Sequence, residues 1–220
     1  MPIIMRNAPR RGAAVLAANV TELLRAKQAP HGMKAEARPE ELQHSEPHPV
    51  YVATLDDLAA GKLLAAAKQT GWRYLLVHND EVVAEAELSA GRRAAKDAKG
   101  AKAAKSAKNE DLAFAGLTHG PFVAATVDGL HAAERLRQVE KSDYELRLLK
   151  VPSVYLVALW LHGDDDDLLV PLGQPPAGLK KNKAYTEGAV IRALRTTVAR
   201  TREFHAAYEA NQRKRRPKKR

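Results

Sequence analysis

Residues 72–88, WRYLLVHNDEVVAEAEL, decide the fold class of this chain. Trp72–His78 is an aromatic and aliphatic run of strand length, and Glu81–Leu88 is a second run. Asn79-Asp80 between them can supply the positive φ angles that a two-residue hairpin turn demands. After Val83 the second run alternates alanine with glutamate, so one of its faces meets water. Strands joined this tightly pair antiparallel.

Upstream, Val50–Thr54 reads as a short strand, and Thr54 with Asp57 forms the acidic version of a capping box. The helix that follows carries Leu55, Leu58, Ala59, Leu63 and Ala66 on one side and is expected to stop at Gly71. Residues 30–49, rich in Pro, Glu and His, read as a linker. An N-terminal helix is expected over 8–28, capped by Asn7, with Pro9 in its first turn and a stripe of Leu16, Val20, Leu23 and Leu24.

Downstream, Gly120-Pro121 opens a helix whose buried side is expected to be Phe122, Val123, Val127, Leu130 and Leu136. Three strands follow. Tyr144, Leu146 and Leu148 alternate with charged residues. Val154–Leu161, VYLVALWL, is continuously apolar, which predicts the most buried strand, covered on both faces and hinting at a dimer or protein partner. Leu168–Leu172 contains Pro171 and belongs at an edge. Thr186 caps a last helix with a stripe of Val190, Ile191, Leu194, Val198, Thr201, His205 and Tyr208.

The expected fold is α+β: a mainly antiparallel sheet of about five to six strands packed by helices, with a lysine-rich flexible insert and a basic C-terminal tail. The divisions are an N-terminal helix (1–29), a linker (30–49), the first part of the body (50–90), the insert (91–110), the second part of the body with its C-terminal helix (111–212) and the tail (213–220).

Charge is distributed unevenly. Of the formal net +10, the tail RKRRPKKR supplies +7 and residues 91–108 supply +6, leaving the remainder at −3. The tail residues Arg213, Lys214, Arg215, Arg216, Lys218, Lys219 and Arg220 can neutralise phosphates and release counterions. No aromatic residue is interleaved among them, so base stacking on the tail is not expected. In the insert Lys96, Lys99, Lys102, Lys105 and Lys108 recur every third residue, a spacing that spreads them around a helix rather than along one stripe. They are candidates for the same polyanion, with a basic linker as the plain alternative.

Cysteine is absent, which excludes disulfides, thiolate metal sites and a thiol nucleophile, and fits a cytoplasmic location. No apolar run reaches the roughly 18–20 residues of a membrane-spanning helix. The His44/His48 spacing is zinc-like, but Pro47 and Pro49 break the frame a metal needs, so no metal and no cofactor is assigned. Asp164–Asp167 reads as a solvated turn. No nucleophile elbow, phosphate loop or dinucleotide fingerprint is present. His119, His162, Asp164 and Tyr155 are the weak catalytic candidates of a pocket-based enzyme or small-molecule-binding reading. Trp72, Tyr74, Tyr155 and Trp160 read first as sheet-face packing.

The leading functional expectation is a non-enzymatic interaction or accessory protein. Its body would bind a protein partner or itself, and its basic appendages would attach non-specifically to nucleic acid or another polyanion. A nucleic-acid-binding protein in the strict sense is the third reading.

Overall fold

A computed structural model of the chain describes residues 3–4, 9–28, 38–90 and 112–215, with side chains described as far as residue 212. The lysine-rich insert, Asn7 and the last five residues lie outside the described residues. Among the described residues the architecture is α+β, built on one sheet of nine strands. The strands are β1 (Ile3–Ile4), β2 (Gln43–His44), β3 (His48–Val52), β4 (Lys68–His78), β5 (Glu81–Ala90), β6 (Leu112–Thr118), β7 (Tyr144–Val151), β8 (Leu156–His162) and β9 (Asp167–Pro171). The helices are α1 (Gly12–Arg25), α2 (Leu55–Ala59), α3 (Pro121–Glu134), α4 (Arg137–Lys141) and α5 (Glu187–Arg215).

The strand order is β6-β5-β4-β3-β7-β8-β9, with β1 attached to β7 and β2 to β4. The β4–β5 hairpin turns through Asn79 and Asp80, both at positive φ (50° and 63°), the mirror-image turn that matches strand twist. Five to six strands understates the sheet. β6 gives little strand signal because LAFAGLT carries little β-branching, and the two-residue strands β1 and β2 leave no periodic signal. The sheet is also mixed, since β7 runs parallel to both β3 and β1.

That parallel pairing requires a crossover, and α3 with α4 provides it. Thr126 of α3 reaches Arg73 on β4, and Gly129 lies against Leu172 just past β9. A Cβ on Gly129 would sit 2.3 Å from a Leu172 methyl, so the glycine lets the helix approach the sheet. The buried residues of α3 are Val123, Thr126, Gly129 and Ala133, while Phe122, Val127 and Leu130 are only half-buried. The expected stripe is therefore rotated toward smaller residues.

Two layers of helix cover the sheet. On one face α3 and α4 pack Ala133 and Val139 onto Val50, Leu146, Leu148, Leu159, Leu161 and Val170. On the other, α5 packs Val190, Leu194 and Val198 onto Leu149, Ala158, Trp160 and Leu169. Beside α5, α1 packs Leu16 and Val20 onto Trp72, Tyr74 and Leu88. Each fully buried leucine contributes about 1.5–3 kcal/mol. β8 is thus covered on both faces by this chain's own helices, which accounts for its apolar run without a partner.

Several expected boundaries move. α1 starts at Gly12, after a turn in which Pro9 accepts from the Gly12 N–H. The Thr54–Asp57 capping box forms, but α2 ends at Ala59 because Gly61 (φ 73°) closes it: Gly61 N–H donates to Leu58 and Lys62 N–H to Asp57. Gly71 is no helix stop. It lies inside β4, where a Cβ would meet the Leu88 carbonyl oxygen at 2.1 Å. The supposed linker contains β2 and the start of β3, and His48 is buried. β9 holds its expected edge position.

Candidate functional site

Cross-strand register gathers a polar cluster on the face covered by α5. Arg147 faces Trp160, Glu145 faces His162, and His162 faces Asp167 across β7, β8 and β9. Tyr51, opposite Leu149, joins from β3. The Arg147 guanidinium lies 5.1 Å from the Tyr51 ring centre and 4.7 Å from that of Trp160, a cation between two aromatic faces. It donates to Glu145 at 2.6 Å, while its Nε is buried without a partner. Burial raises the Tyr51 phenol above its ordinary pKa, with Arg147 opposing and Glu145 adding to the rise.

Asp167 accepts twice on one carboxylate oxygen, from the Trp160 indole N–H at 2.7 Å and from His162 Nδ1 at 2.8 Å. The carboxylate therefore places the imidazole proton on Nδ1 and leaves Nε2 as the acceptor of the neutral ring. His162 is 39% exposed and Asp167 31%, so the pair is open to solvent. Chemically this is an oriented base without an adjacent nucleophile.

The other candidate residues disperse. His119 follows β6 and donates from Nδ1 to the Val83 carbonyl at 2.6 Å, tying its turn to β5. β6 and β8 are separated by five strand spacings, roughly 24 Å, so His119 and His162 do not share a pocket. Asp164 is exposed in the β8–β9 turn, closed by a bond from Gly163 N–H to the Asp166 carbonyl. Asp166 accepts from the Tyr144 hydroxyl at 2.5 Å. Tyr155 is not packed on the sheet. It precedes β8 in a left-handed conformation (φ 55°, ψ 31°) and is 87% exposed. Among the described residues no group of three or more His, Asp or Glu side chains could hold a metal, and no helix is long and apolar enough to cross a membrane.

The opposite face holds a buried charge cluster that the sequence reading missed. Arg73 is fully buried and donates from Nη1 to Glu85 and to Thr126 Oγ1, each at 3.2 Å. Its Nη2 lies 3.5 Å from His48 Nδ1. This cluster pins α3 to β4 rather than offering a site, because solvent has no access to it.

Helix α5 is only partly covered by the body. Its 29 residues span about 43 Å, yet its buried residues end at Val198. From Ala199 to Gln212 the helix is exposed, apart from half-buried Thr201. The expected buried stripe through His205 and Tyr208 does not exist: Phe204 is 68% exposed and Tyr208 58%. Where α5 still touches the body, a groove of about 520 Å³ opens between it and α2. Its floor includes Leu58, Ile191 and Val198, and Arg192, Arg195 and Arg202 line it.

No family model matches this chain. No curated protein and no solved structure matches it either. The functional reading therefore rests on these residues. Of the polyanion candidates, Arg213, Lys214 and Arg215 form the last turn of α5, while Arg216, Lys218, Lys219 and Arg220 and the lysines from Lys96 to Lys108 lie outside the described residues. The signal that could have revealed the arm was the run of helix-forming residues joining Val198 to the tail with no aliphatic residue larger than alanine.

Proposed function

We propose that this is a non-enzymatic accessory protein that attaches to nucleic acid or a similar polyanion through its C-terminal arm, while its α+β body engages a protein partner or a second copy. The observation that carries the reading is the exposure of α5 beyond Val198, its last buried residue. Beyond Val198 the helix has no aliphatic residue larger than alanine to bury in the core, so its second half is free to present charge. Residues 199–220 contain nine basic residues and two acidic ones. The apolar floor of the α2–α5 groove supports a docking role for the body.

The test compares the full chain with a chain ending at Gln212, binding DNA and RNA over a series of salt concentrations. Full-length affinity should fall with salt at a log–log slope near −6, as about seven released counterions imply. Truncation should remove most of that slope. Binding that survives truncation with its slope intact would show that the body has its own polyanion face and defeat the reading.

A second reading rests on His162, held by Asp167 and partly exposed beside the Arg147 cluster. It makes that face a small-molecule site. Thermal-shift titration with anionic metabolites should then show stabilisation of the full chain that His162→Gln abolishes. Equal shifts in both proteins would reject it.

A further inference from the structure

We infer that the exposed half of α5 is a stacking platform for single-stranded nucleic acid, with Phe204 and Tyr208 each receiving one base. The inference rests on the polyanion reading above and names its ligand class.

Three observations carry it. The large hydrophobic side chains exposed among the described residues are Tyr155, Phe204 and Tyr208, all of them aromatic. A protein-docking or membrane-inserting helix presents an extended apolar face with anchors at i, i+3, i+4 and i+7; from Ala199 to Gln212 the apolar residues besides the two rings are all alanine. Second, Phe204 and Tyr208 stand four residues apart, on one helix face and separated by about 6 Å of rise, with Arg200 one turn before them on the same stripe. The Gln212 amide donates to the Tyr208 hydroxyl at 3.1 Å, which holds the ring's polar end and restricts its rotation. Third, the same helix continues through Arg213, Lys214 and Arg215, so the rings and the first phosphate-neutralising residues of the basic run lie on one element. Base stacking on aromatic rings combined with backbone neutralisation is how single strands are held without sequence readout. A duplex keeps its bases stacked inside and offers these rings nothing.

The experiment measures fluorescence anisotropy of an oligo(dT) probe and a duplex DNA of equal length, with the full chain, the Phe204→Ala/Tyr208→Ala variant and the chain ending at Gln212. The rings contact no core, so the double variant should retain the parent's melting temperature. Its affinity for oligo(dT) should fall about tenfold or more, its duplex affinity less than twofold, and its salt slope should stay unchanged. The truncated chain should lose affinity and slope on both probes. If truncation abolishes binding while the double variant binds both probes normally, the stacking inference is overturned and the polyanion reading stands. If the full chain binds neither probe, both fall. A loss of self-association or of anionic-vesicle binding in the double variant, with oligo(dT) affinity unchanged, would assign the rings elsewhere and also overturn it.

Discussion

Arg73 on β4 and His48 on β3 are directly opposed across the ladder, and the guanidinium Nη2 lies 3.5 Å from the imidazole Nδ1 beneath the crossover helix. A guanidinium only donates, so Nδ1 must accept, and the ring between these elements is neutral. Burial first, then the Arg73 charge, depresses the His48 pKa to about 3.

The folded protein therefore refuses a proton that the unfolded chain takes up below its ordinary pKa near 6.5. The His48 contribution is fully present above that value and is lost as pH falls from about 6.5 toward 3, at no more than about 1.4 kcal/mol per pH unit. Glu85, whose carboxyl burial raises, acts in the opposite sense in the acidic part of that range. The difference between the parent and His48→Gln isolates the histidine. Urea unfolding at a series of pH values should show a slope shallower by one proton in the variant.

The Arg73–Glu85 pair is buried on both sides. Removing one partner, as in Arg73→Met or Glu85→Leu, should cost about 3–5 kcal/mol, because the remaining charged or polar group loses its partner away from water. Arg73→Met/Glu85→Leu together should cost much less than the sum. A double-mutant cycle in urea measures the coupling, and strictly additive losses would contradict it.

Asp80 holds φ at 63° in the β4–β5 turn, a conformation that penalises a side chain by roughly 1–2 kcal/mol and that glycine adopts freely. Asp80→Gly should raise stability by up to about 1 kcal/mol without altering the denaturant m-value. A lower midpoint would show that the aspartate makes a stronger interaction than its geometry indicates.

The Tyr144 phenol is pushed up to about 12, by burial first and then by its hydrogen bond to Asp166 and the neighbouring aspartate charges. Asp166→Asn removes one of those charges but not the burial. Ultraviolet titration should show one tyrosine ionising at lower pH than in the parent, still above its ordinary value of 10.

Much of the fold was legible where a local rule acts alone. Asn79-Asp80, the Thr54–Asp57 box and Pro121 at the start of α3 are set by turn and cap chemistry within a few residues. Legibility failed where neighbours decide. Gly71 looked like a helix end, yet it is a glycine because another strand's carbonyl crowds its α-carbon. Tyr155 looked like a strand residue, yet a 3₁₀ turn at Pro152–Val154 swings it outward.

The charge arrangement shows the same division. Sequence alone determined that the positive charge lies in residues 91–108 and 213–220, leaving a mildly acidic remainder, because charge is a property of each residue and needs no partner. Only the tertiary structure decided that His119 and His162 stay apart, that Arg73 finds Glu85 beneath a crossover helix, and that Phe204 and Tyr208 face water. Each of those outcomes depends on which surface packs against which. Val198 is the last buried residue of α5, and among the described residues Phe204 and Tyr208 beyond it stay exposed.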